Sequence, residues 1–180
     1  MDITNLKSWV LINRSAILIF INEKKKRYWI TASKNIVTSM YTIMRTLNSK
    51  VNKNILEDAN DIEIKMIVDD NSPLEKRDML VMVNNYVEYY DSLGYKPYRE
   101  IKLVKYNIKC NIAMYKNHAV WRVHAVSGRK LKVLLGVFYT KEEMDLFTQT
   151  YYPDNKVTKL VYSDNELTNH WRSEGIFGIS

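Results

Sequence analysis

The hydrophobic periodicity of this chain changes character at Lys96-Pro97-Tyr98, and that break constrains its architecture more than any other feature. Before it, strand-like runs are interleaved with helical spacings. After it, three strand-like runs follow one another and a single helical segment closes the series. The expectation is an α+β protein. Residues 1–98 form a small mixed sheet with helices, 99–163 a three-stranded antiparallel sheet packed on one helix, and 164–180 a polar tail.

In the first part, residues 8–12 (WVLIN), 15–22 (SAILIFIN) and Arg27 to Thr31 read as an antiparallel meander turning through Asn22 to Lys26. Ile36, Met40, Ile43 and Leu47 recur at helical spacing and predict a helix over about 34–47. From Asp61 to Val68 the chain alternates, with Ile62, Ile64 and Met66 on one side of a half-buried strand. A second helix starts on the signals Ser72, Pro73 and Glu75, carries the stripe Leu80, Val83, Val87 and Tyr90, and stops at Gly94. In the second part, runs at about 108–115, 119–126 and 131–138 predict three strands. The last two join at Ser127-Gly128, and Thr140 with Glu143 forms a capping box for a helix that ends before Pro153. Beyond Asp164 the tail reads as polar, with Trp171, Ile176 and Phe177 taken as its apolar anchors.

Charge is unevenly placed. Lys102, Lys105, Lys109, Lys116, Arg122, Arg129, Lys130 and Lys132 are the eight Lys and Arg residues between 101 and 140, where Asp and Glu are absent. That segment carries +8, and the rest of the +7 chain sums to −1. Such a block suits a polyanion, because each phosphate neutralised by Lys or Arg releases condensed counterions. The apolar runs are too short to cross a bilayer, and the N-terminus lacks a signal-peptide layout, so a cytoplasmic protein is expected. Cys110 is the lone cysteine, and His118, His124 and His170 lack metal-ligand spacing; no metal and no cofactor is expected.

Two resemblances sharpen this. Ala16-Ile17-Leu18, Trp29-Ile30-Thr31, Ser33-Lys34-Asn35-Ile36, Asn54-Ile55-Leu56 and Leu74-Glu75-Lys76-Arg77 together resemble the motif order of the GIY-YIG nucleases over about residues 15–92. That family implies two strands, a helix, a strand and a helix bearing a metal-binding Glu, with two tyrosines and an arginine as partners in phosphodiester cleavage. Here Leu18, Trp29, Ser39 and Arg77 stand at the matching positions, so the resemblance implies a scaffold without the chemistry.

Val120 to Val126, the basic turn Ser127 to Lys132, then Leu135-Gly136-Val137-Phe138-Tyr139-Thr140 with Glu142-Glu143, resemble the DNA-binding domain of plant ethylene-response factors and its phage and integrase relatives over about 109–151. That likeness implies three strands on a helix, with the sheet's open face on DNA, and in phage genomes such domains accompany nuclease modules. With Trp121, Val123 and Ala125 toward the helix, Arg122 and His124 are expected to face outward beside Lys130 and Lys132.

The expectation is a non-catalytic, phage-encoded DNA-binding or regulatory protein whose contacts are Lys102, Lys105, Lys109, Lys116, Arg122, His124, Arg129, Lys130 and Lys132. The alternative is a module that binds a host transcription or replication factor through Tyr86, Tyr89, Tyr90, Tyr95 and Tyr98, since tyrosine is enriched at binding hot spots. A third reading, an active homing-type endonuclease, would need Glu75, Asp78 and Tyr28 or Tyr41 to form a rearranged site.

Overall fold

The computed structural model describes residues 14–39, 53–67, 74–129 and 131–174, and the chain divides into two compact units, Met1–Lys102 and Leu103–Ser180. The boundary lies four residues past the expected one. Outside the described residues fall the run 8–12, most of the expected first helix, Ser72, Pro73, Lys130, Ile176 and Phe177.

The first unit is built on β1 (Ala16–Asn22), buried at every position. An uninterrupted apolar strand must be covered on both faces and paired on both edges. It pairs antiparallel with β2 (Arg27–Ser33) on one side and, past the short helix α1 (Lys53–Glu57), with β3 (Ile62–Ile67) on the other. Ile62, Ile64 and Met66 of β3 pack with Trp29 on the cluster of Ala16, Leu18, Phe20 and Ile36, the side the alternation assigned them. Each large aliphatic side chain buried in this way contributes roughly 1.5–3 kcal/mol. The helical turn at 36–39 is capped by Asn35, whose Oδ1 accepts from the Thr38 amide at 3.1 Å.

Helix α2 (Lys76–Ser92) packs on β1 and β2, and departs from the sequence reading at its start and along its stripe. Glu75, expected inside the helix, is itself the cap residue. Its backbone is extended, and its carboxylate turns to the Arg77 guanidinium at 2.9 Å instead of to a backbone amide. The buried positions are Met79, Val81, Asn84, Val87 and Tyr90, while Leu80 and Val83 are half-buried. Gly94 closes the helix with φ +79; its amide donates to Asp91 and the Tyr95 amide to Tyr90, both at 3.0 Å. This is the left-handed C-terminal turn that a glycine permits. The chain then adds β4 (Lys96–Pro97) parallel to β2, giving the order β3-β1-β2-β4.

In the second unit β5 (Tyr106–Tyr115), β6 (His118–Ser127) and β7 (Leu131–Phe138) form the expected antiparallel meander. Helix α3 (Lys141–Tyr151) begins on the expected box: Thr140 Oγ1 accepts from the Glu143 amide at 3.2 Å, and the Glu143 carboxylate accepts from the Thr140 amide at 3.2 Å. Two elements were not expected. A two-residue strand, β8 (Lys156–Val157), pairs with β5 to give the order β7-β6-β5-β8, and the polar tail folds into helix α4 (Glu166–Ser173).

Helix α4 turns one open face of the sheet into a second core. Leu167 and Trp171 pack with Val120, Leu134 and Val137, and with Ala113 and Tyr115 of β5. Leu134 and Val137, three apart, share this face because the register jumps between Val123–Gly136 and His124–Leu134, leaving Leu135 as the extra residue of a bulge. Thr168 fixes the helix to the sheet edge by donating to the Val137 carbonyl at 3.3 Å and accepting from its amide at 2.8 Å. The fold class is thus α+β as read, with a four-stranded second sheet clasped by a helix on each face.

Candidate nucleic-acid interface

Strand β6 alternates as the sequence implies. Trp121 pairs with Phe138, whose ring lies 5.2 Å from Phe147 on α3, so Trp121, Val123 and Ala125 face that helix. Arg122 and His124 point the other way, but not into solvent. Arg122 is 6% exposed and His124 2% exposed. The expectation that they form an outward basic face is overturned by α4, whose Trp171 ring lies 5.5 Å from the Arg122 guanidinium carbon.

Burial acts on both groups. It pulls Arg122 below its ordinary value; it also takes His124 down to about 3, helped by the positive charges of Lys132 and Arg122, so the imidazole is neutral at pH 7. Lys132, half-buried on β7, is likewise lowered by burial and then by Arg122.

The remaining cations divide by place. Lys102 is exposed at the end of the first unit, and Lys116 is exposed at the β5–β6 turn, where its φ is +46. At the opposite end of the sheet five others meet. Lys105 is exposed just before β5, and Arg129 is exposed in the β6–β7 turn beside Gly128, whose φ is +60. Lys132 opposes Val126, which neighbours Asn107, and Asn107 opposes Lys156 on β8. Directly opposed residues of antiparallel strands share a face. Lys109, opposite His124, lies on that same face one step along β5. Three lysines therefore cross all four strands on one side of the sheet, spanning about 14 Å at the usual strand spacing. A duplex carries roughly eight phosphate charges along that length of axis. Asp154, in the turn before β8, adds a carboxylate at this end. The sequence reading missed Lys156 because a two-residue strand has no periodicity to detect.

In the first unit the positions matching the nuclease motifs are structural. Leu18 is fully buried in the sheet core and Trp29 packs its ring 5.0 Å from Phe20. The Ser39 hydroxyl donates to the Ser33 hydroxyl, and Arg77 pairs with Glu75 at 2.9 Å and Asp78 at 3.9 Å. Tyr28, completely buried, donates to the Asp91 carboxylate at 2.8 Å; burial first and Asp91 second hold its phenol far above the ordinary range. Tyr41 lies outside the described residues. Among the described residues no three His, Cys, Asp or Glu side chains converge as a metal site.

The tyrosine group is mostly core, which corrects its reading as an interface. Tyr90, Tyr95 and Tyr98 are buried; Tyr90 stacks on Tyr28 at 5.4 Å and meets Tyr95 edge-on at 5.4 Å. Tyr98 donates to the buried Asp58 carboxylate at 2.7 Å; burial first and this hydrogen bond second push its phenol up to about 12. Tyr86 is half-buried, and Tyr89 alone of the five is exposed, at 54%. Neither a protein-family model, nor a curated protein, nor a solved structure matches this chain.

Proposed function

We propose that this chain is a non-catalytic DNA-binding protein, a cytoplasmic, phage-encoded regulator, which holds DNA through the basic end of its second sheet. The observation that carries the reading is the meeting of Lys105, Lys109, Arg129, Lys132 and Lys156 at one end of a sheet. Lysines grip phosphates as point charges and read bases poorly, so binding is weakly sequence-dependent. The first unit contributes a nuclease-like scaffold whose active-site positions are occupied by core residues and an ion-paired arginine. Changing Lys109, Lys132 and Lys156 together to Glu tests this. Binding to duplex DNA, followed by fluorescence anisotropy, is lost, whereas Lys116→Glu at the far end costs little; equal losses would refute the placement.

A second reading rests on α2, where Tyr86, Tyr89 and Leu93 follow at helical spacing and Tyr89 and Leu93 are more than half exposed. Such a stripe suits a protein partner, of which a host transcription or replication factor is the kind expected. Nuclease-resistant capture of one host protein, abolished by Tyr89→Ser, would favour it over DNA.

A further inference from the structure

The face of the second sheet beneath α4 holds polar groups that the core does not satisfy. Arg122 Nε, His124 Nε2, Trp171 Nε1 and Asn111 Oδ1 are buried without a hydrogen-bond partner. They belong together: Asn111 and Arg122 are directly opposed across β5 and β6, His124 is two residues along the same face, and the Trp171 ring lies against the guanidinium. Lys132 adds its charge from β7, close enough to act on both Arg122 and His124. No carboxylate is among the groups that shift either residue.

A core that collects an arginine and a lysine and leaves the guanidinium Nε without an acceptor is unfavourable on its own, because a buried cation needs a counter-charge or a full set of acceptors. It becomes favourable once an anion supplies both. The donor set also specifies the anion. A guanidinium offers a planar fork of N–H groups, and the indole a single one. The Asn111 amide offers two more after a half-turn of its terminal torsion, and neutral His124 can donate from Nε2. Donors carried on β5, β6 and α4 along one face suit a tetrahedral oxyanion with four acceptors better than a halide or a planar carboxylate.

We propose that this face is a binding site for a single phosphate group, either inorganic phosphate or the phosphate of a small monoester, with Arg122 as its principal ligand and Trp171, Asn111 and His124 completing the cage. With 6% of its surface exposed, Arg122 admits a small or terminal phosphate and excludes the continuous backbone of a duplex. The site adjoins the DNA surface proposed above and shares Lys132 with it, but Lys105 and Arg129, at the end of the sheet, belong to that surface alone.

The test uses the full chain. Inorganic phosphate, compared with chloride at equal ionic strength, raises the melting temperature of the second unit by roughly 5 °C at saturation. It also shifts the Trp171 indole N–H resonance saturably. Arg122→Met abolishes both responses and leaves the phosphate-free protein as stable or more so, because the unpaired cation is gone. Lys105→Glu with Arg129→Glu, which weakens the DNA surface at the end of the sheet, leaves both in place. Adenosine 5′-monophosphate distinguishes the sources: displacement of phosphate by it assigns the site to monoesters, and its failure to compete assigns it to the free ion. An unmoved Trp171 indole resonance with both ligands overturns the proposal, as does an equal response in Arg122→Met. The indole measurement on the unaltered protein decides the matter even if the variant does not fold.

Discussion

Replacing Trp171 with Ala measures how firmly the tail helix belongs to the second unit. Trp171 is 3% exposed. A tryptophan buries about 150–250 Å², which at roughly 25 cal/mol per Å² corresponds to about 4–6 kcal/mol, and measured truncations of large aromatics cost about 3–5 kcal/mol. Two features of the site place the expected loss at the lower end. The indole N–H makes no hydrogen bond, so none is broken, and removing the ring admits water to the Arg122 guanidinium it covers. The expected destabilisation is about 3 kcal/mol, read from amide exchange on β6 and β7 in increasing urea. Faster proteolysis within 164–174 should accompany it. Exchange altered by less than about 0.5 kcal/mol, the range of an ordinary surface substitution, would show that α4 is not part of the core and would refute the burial of Arg122 and His124.

Other expectations follow from single contacts. A Cβ at Gly136 would meet the Phe138 ring at 2.6 Å and the Ser163 Cβ at 3.1 Å, and the ring is itself buried against Phe147. Gly136→Ala should therefore cost about 1–3 kcal/mol in a thermal melt, with much of the loss recovered when Phe138 is also changed to Leu. His124 is held neutral in the fold down to about pH 3, whereas in the unfolded chain it titrates near 6.5. Its contribution is fully present above that upper value and is lost as pH falls from about 6.5 toward 3, at up to about 1.4 kcal/mol per pH unit. Stability of the second unit in phosphate-free buffer should show that slope, and His124→Asn should flatten it.

Much of this fold was legible because short-range signals and long-range packing agree. The Thr140–Glu143 box, the turn at Gly128, the Gly94 stop and the alternation of β3 each depend on residues close in sequence, and each appears where expected. The failures share a physical origin in a partner that is distant in sequence. The alternation of β6 correctly separates Trp121 from Arg122, but which face meets water depends on α4, some forty residues later. A trace of that helix was present: Asn165 caps it by accepting from the Thr168 amide at 2.7 Å, and Leu167 and Trp171 are spaced four apart. Six polar residues with two apolar anchors still make too weak a stripe to outweigh composition. Likewise the basic block gave the correct region for a cationic surface but not its shape. The hairpin sends Lys116 and Arg129 to opposite ends of the sheet, and β8 brings in Lys156 from beyond the block.

The claim that this protein grips DNA phosphates through one end of its second sheet is tested most directly by the salt dependence of binding to duplex DNA. Five phosphate contacts at about 0.9 counterion each predict that log Kobs falls against log salt with a slope of roughly −4 to −5. The slope should become shallower by about 3 when Lys109, Lys132 and Lys156 are changed together to Glu. A slope near zero, or one unaltered in the triple variant, would contradict the account.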